Sequence, residues 1–84
     1  MTNKQLLKKQ IIYRSTHRGT KEMDILLGNF AKKYIDIFSE IDLQNLNNML
    51  FLEDEILHEF YFKDNKNLPF DNNKVFSLFK KFKL

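Results

Sequence analysis

The sequence predicts an all-α fold, a small five-helix bundle that forms a single domain over residues 1–84. Three observations carry that expectation. Apolar residues recur at three- and four-residue intervals, the spacing of one face of a helix. Glycine occurs twice and proline once, too few for a turn-rich all-β chain. A chain of 84 residues supplies one thin core and no second, and its hydrophobic content of 43% is too high for a disordered segment.

The elements follow in order. The first helix is expected from Lys4 to Thr16, with Leu6, Leu7, Ile11, Ile12 and Tyr13 as its apolar side and Lys8, Lys9 and Arg14 outside. The second carries the clearest stripe: Met23, Leu26, Leu27, Phe30, Tyr34 and Phe38. Such a stripe needs a partner surface. Asp24, Lys32, Lys33 and Asp36 occupy its other side. The third begins after Ser39, which with Asp42 has the pattern of a capping box. Leu43, Leu46, Met49 and Leu50 form its apolar face. The fourth starts near Glu53-Asp54-Glu55, where acids suit the positive end of the helix dipole. Ile56, Leu57, Phe60 and Tyr61 follow as its stripe.

Asp64 to Pro69 reads as a loop, after which Asp71 or Asn72 can cap a fifth helix. Val75, Phe76, Leu78, Phe79 and Phe82 are expected to face inward, with Lys80, Lys81 and Lys83 in the last turn. A basic, Phe-rich final helix could serve a membrane surface. The core reading is preferred, because a thin domain needs these side chains. Helices this short are marginal alone in water and must hold one another.

Several function classes fall away. There is no cysteine, hence no disulfide, thiolate metal site or cysteine nucleophile. No apolar run approaches the roughly 20 residues that span a bilayer. Met1 to Gln10 is polar and basic, unlike a secretory signal. The expectation is a cytoplasmic protein, or a processed organellar form. The net charge of +3 is modest for a nucleic-acid binder. A small basic helical nucleic-acid-binding protein, using the first helix, stays as the alternative. No Ser-His-acid pattern, phosphate loop or metal cluster is present, so no enzyme, catalytic residue or metal site is expected. His58, one turn after Asp54 and Glu55, is read as part of a solvated helix face.

The informative stretch is Tyr13-Arg14-Ser15-Thr16-His17-Arg18-Gly19-Thr20-Lys21-Glu22-Met23-Asp24, dense in charge for a tight corner. Gly19 lets the backbone turn or lets another chain come close, since it lacks Cβ. Arg18 offers a planar fork suited to carboxylates and phosphates. On a continuous helix Glu22 would face Arg18, four residues away. The plainer reading makes Gly19 a cap, Glu22 a first-turn acid and Arg18 a solvated charge. Spacing alone favours that plainer reading.

The segment resembles the signature of the SdhE-type FAD assembly factors, called succinate dehydrogenase assembly factor 2 in mitochondria. The hallmark Arg-Gly-x-x-Glu stands as Arg18-Gly19-Thr20-Lys21-Glu22. It continues into Asp24 and the run Ile25-Leu26-Leu27-Gly28-Asn29-Phe30-Ala31, with Tyr13 and Ser15 upstream. His17 stands where many members have Arg or Lys, and the Trp of some members is absent.

The resemblance implies a five-helix protein that binds the flavoprotein subunit of succinate dehydrogenase, and in some bacteria that of fumarate reductase. It promotes covalent attachment of FAD to a histidine of that subunit. The same resemblance gives a partner-binding surface of Arg18, Gly19, Glu22, His17, Asp24, Tyr13 and Arg14. Arg18 is expected to donate to partner carboxylates or backbone. Gly19 is expected to allow close approach, and Glu22 to orient Arg18 or accept from a partner cation. No dinucleotide fingerprint is present, so FAD is expected on the partner and not on this chain. The chain is expected to be a monomer when free, cytoplasmic in a bacterium or in the mitochondrial matrix of a eukaryote.

Overall fold

A computed structural model describes residues 2–63 and 73–84. They form α1 (Asn3–Thr16), α2 (Lys21–Tyr34), α3 (Glu40–Met49), α4 (Asp54–Phe62) and α5 (Lys74–Lys81), with no strand among the described residues. The radius of gyration is 12.0 Å, matching the roughly 12 Å expected of a packed chain of this length.

The α1 helix opens on a full capping box. The Gln5 amide donates to Thr2 Oγ1 at 3.1 Å, and the Thr2 amide donates to Gln5 Oε1 at 3.0 Å. Its buried face is narrower than the apolar spacing implies. Ile11 is buried, whereas Leu6 is 48% and Tyr13 64% exposed. Ser15 takes a core position instead and donates to Ile12 O at 3.0 Å. At its C-terminal end α1 packs closely on α2. A Cβ at Gly28 would lie 3.3 Å from Thr16 Cγ2, so only small side chains fit this crossing.

The α2 helix ends at Tyr34 and not at Phe38. The stripe nevertheless continues, because the Phe38 amide still donates to Tyr34 O at 2.9 Å. Phe38 therefore stays buried and stacks on Tyr34, with ring centroids 4.8 Å apart. Ser39 then caps α3, its hydroxyl accepting from the Asp42 amide at 3.2 Å. The Asp42 carboxylate reaches Lys74 Nζ on α5 at 3.2 Å. Burial alone would raise its pKa. The bonds from Lys74 and Ser39 and the Lys74 charge outweigh burial and hold the carboxyl below the usual carboxylate range.

The cap of α5 is Asn73, whose side chain accepts from the Val75 amide at 2.9 Å and the Phe76 amide at 3.3 Å. This corrects the expected cap at Asp71 or Asn72. Asn73 supplies the same acceptor, one residue nearer the first buried position. Asp71, Asn72 and the expected loop from Asp64 to Pro69 lie outside the described residues. Lys83 falls beyond the end of α5 rather than in its last turn. Lys80 donates to Phe60 O at 2.7 Å and Tyr61 O at 3.1 Å, and so serves the last carbonyls of α4.

The Phe-rich final helix belongs to the core. Phe76, Phe79 and Phe82 are all buried. Phe30 of α2 meets Phe79 and Phe82 edge-on, with centroids 5.3 and 5.4 Å away. Edge-to-face pairs of this kind add to area burial because ring quadrupoles favour them. Tyr61 packs on Phe79 and donates its hydroxyl to Phe82 O.

Candidate functional site

The charged corner lies between α1 and α2. The Thr16 hydroxyl donates back to Ile12 O at 2.7 Å, and His17 leaves helical geometry at φ −124°. Thr20 restarts the chain as N-cap of α2, accepting from the Met23 amide at 3.3 Å. Asp24, in the first turn of α2, accepts from the Arg18 amide. The corner is therefore tied to the helix that follows it.

The Arg18 side chain turns inward and is 9% exposed. Its Nη1 donates to Leu50 O at 2.6 Å and its Nη2 to Leu52 O at 2.7 Å. Its Nε donates to Asp54 Oδ1 at 2.6 Å. Leu50 is the C-cap of α3 and Asp54 the first residue of α4. Carbonyls at a helix C-terminus lack intrahelical donors and lie at the negative end of the dipole. One guanidinium thus satisfies the α3 terminus, pairs with the α4 start and fixes both to the α1–α2 corner. The fork that suits a partner carboxylate is used here within the chain.

Gly19 is exposed, and its amide donates to Asp54 Oδ2 at 2.8 Å. A Cβ on Gly19 would sit 3.3 Å from that same oxygen. Asp54 therefore grips two consecutive motif residues with its two oxygens. Sequence reasoning missed this role and treated Asp54 as a dipole acid. Residues 18 and 54 are 36 positions apart, and no spacing rule links them.

Glu22 does not face Arg18, because the helix breaks between them. Its side chain is 63% exposed and lies 3.9 Å from His58 Nε2 on α4. His58 in turn packs on Phe62. Among the described residues no group of three His, Asp or Glu side chains could hold a metal ion.

Tyr13, Arg14 and His17 line the neighbouring surface. The His17 ring stacks on Tyr13 with centroids 4.0 Å apart, and its Nδ1 lies 2.8 Å from Tyr13 O. Arg14 lies over the Phe51 ring at 4.2 Å and donates to Asn47 Oδ1 at 2.7 Å. Phe51 is 65% exposed. The seven expected residues thus divide by role. Tyr13, Arg14, His17, Gly19 and Glu22 lie at or near the surface, whereas Arg18 and Asp24 shape the corner beneath them. No helix among the described residues is long and apolar enough to cross a membrane.

Comparison with known proteins places these features in context. Residues 9–83 match the family described as "Flavinator of succinate dehydrogenase". The chain is 34% identical over 74 residues to "Succinate dehydrogenase assembly factor 2, mitochondrial" of Caenorhabditis briggsae, covering 88% of this chain and 61% of that protein. A protein of the same name from Scheffersomyces stipitis is 36% identical over 63 residues, covering 75% of this chain and 40% of its own length. "FAD assembly factor SdhE" of Acetobacter pasteurianus is 33% identical over 55 residues, covering 66% of this chain and 50% of its own. The chain therefore spans 40% to 61% of the length of these three relatives. No solved structure matches it.

Proposed function

This chain belongs to the family of succinate dehydrogenase flavinators, and from that premise we propose that it is an assembly factor without catalytic activity of its own. It binds the flavoprotein subunit of succinate dehydrogenase and promotes covalent attachment of FAD there. The observation that carries the reading is the corner itself. Arg18 and Asp54 brace it from inside, while Gly19, Glu22, His17 and Tyr13 are presented outward.

The chemistry of attachment belongs to the flavin and its acceptor histidine, both on the partner. That reaction needs the two held in near-attack geometry. This chain needs only to bind the competent conformer of the flavoprotein more tightly than the others. Moving a population from 1:99 to 99:1 takes about 5.5 kcal/mol of differential binding, within reach of an ordinary protein interface. Gly19 admits the partner backbone closely, and Glu22 offers a carboxylate to a partner cation or amide.

The fit of FAD to this chain is poor. Its glycines are Gly19, facing Asp54, and Gly28, packed under Thr16. Neither forms a loop that could cradle phosphates. A nucleic-acid role draws little support, because three of the basic residues on α1 and at the corner are engaged within the chain. Lys8 pairs with Asp36, Arg14 holds Asn47 and Phe51, and Arg18 is buried.

The test is co-expression of the flavoprotein subunit with and without this chain, followed by in-gel flavin fluorescence after denaturation. Covalent flavin that rises with the chain, together with co-purification, supports the reading. Equal fluorescence and no co-purification overturn it.

A further inference from the structure

We propose that Asp54 is a positioning residue for the docking corner, setting the Arg18-Gly19 backbone in the shape that the partner reads. This rests on the assembly-factor reading above. Asp54 holds the corner with both carboxylate oxygens, Oδ1 on Arg18 Nε at 2.6 Å and Oδ2 on the Gly19 amide at 2.8 Å. The side chain is 20% exposed, so water competes little for either oxygen. The Arg18 amide is held from the other side by Asp24. Two carboxylates from different helices thus pin adjacent amides of a link that belongs to no helix.

The geometry also accounts for the glycine. The φ of Gly19 lies outside the left-handed region, so its backbone conformation does not require glycine. What a side chain would meet is Asp54 Oδ2, at 3.3 Å from an added Cβ. The absence of a Cβ at position 19 thus serves an internal contact as well as any partner. Asp54 cannot retreat easily, because its other oxygen is held by the Arg18 guanidinium. Substitution of Gly19 and substitution of Asp54 therefore act on one contact, and their effects are coupled.

The experiment compares the wild-type chain with Asp54→Asn and Val75→Ala. Val75 is a fully buried α5 residue and serves as a control for lost stability. Affinity for the purified flavoprotein subunit is measured by titration calorimetry, at a temperature where circular dichroism shows all three folded. Asp54→Asn keeps the shape and loses a charge-assisted pair, so binding weakens about ten-fold. Val75→Ala binds like the wild type.

Wild-type affinity in a folded Asp54→Asn overturns the proposal, as does an equal loss in Val75→Ala. A wild-type chain that does not bind at all instead overturns the assembly-factor reading beneath it. If Asp54→Asn does not fold, amide hydrogen exchange in the wild-type chain decides. The clamp predicts Gly19 exchange at least about ten-fold slower than in an unstructured chain, and an unprotected Gly19 amide overturns it.

Discussion

Replacing Arg18 separates an internal brace from a partner contact. Its guanidinium makes three short bonds, to Leu50 O, Leu52 O and Asp54 Oδ1. Hydrogen bonds involving a charged group contribute about 1.5–3 kcal/mol each. In Arg18→Lys a single ammonium replaces the fork and keeps one of the three, so roughly 3 kcal/mol is lost. Arg18→Ala leaves both carbonyls and the carboxylate without their cation, which costs about 3–5 kcal/mol. A domain of 84 residues has a total stability of roughly 4–13 kcal/mol. The alanine variant should therefore lose a large share of that stability.

Urea denaturation followed by far-UV circular dichroism measures the loss. With a slope of about 1 kcal/mol/M, Arg18→Lys lowers the midpoint by roughly 3 M. An Arg18→Ala midpoint within about 0.5 M of wild type would refute the brace. Arg18 would then act mainly on the partner.

Two further perturbations test other parts of the structure. Gly28→Ala should give none of the usual gain of about 1 kcal/mol for replacing a helical glycine. The added Cβ presses on Thr16 Cγ2, and Thr16 is held by its bond to Ile12 O. Gly28→Val should lower stability by about 2 kcal/mol through overpacking, as read by the thermal midpoint. Asp42→Asn removes the link from α3 to Lys74, an exposed partner, so the loss at neutral pH is about 0.5 kcal/mol. The folded-state pKa of Asp42 lies below its ordinary 3.8. Its contribution is therefore present above that value and lost as pH falls through the lower folded one. The wild-type and Asp42→Asn thermal midpoints should converge in acid, and a gap that widens there would contradict the assignment.

Local signals were legible where one element sufficed to produce them. The Met23 to Phe38 stripe, the Ser39 cap and the inward phenylalanines of α5 all follow from helical spacing or cap chemistry. Spacing also exaggerated α1, where Leu6 and Tyr13 fit the apolar face and yet are exposed. Ser15 takes a core position instead, beside Gly28 at a close helix crossing, a property of two helices together. The motif residues were visible as a charged corner, but their division of labour was not. Arg18 reads as a donor for a partner because the sequence does not reveal that α3 ends and α4 begins beside it. Glu22 reads as its mate only if the helix is unbroken, and His17 to Thr20 break it. Asp54 is invisible for the same reason, since its role exists only once three segments meet.

Glu22→Ala tests the docking role of the corner most directly. Glu22 is exposed, and its carboxylate lies 3.9 Å from His58 Nε2. Its removal should change folding stability by no more than about 0.5 kcal/mol. The decisive measurement is covalent flavin on the co-expressed flavoprotein subunit, read by fluorescence in a denaturing gel. Alongside it the urea midpoint confirms that the variant is folded. The account predicts strong flavin fluorescence with the wild-type chain and a near-background signal with a fully folded Glu22→Ala. A folded Glu22→Ala that supports full flavinylation would contradict it.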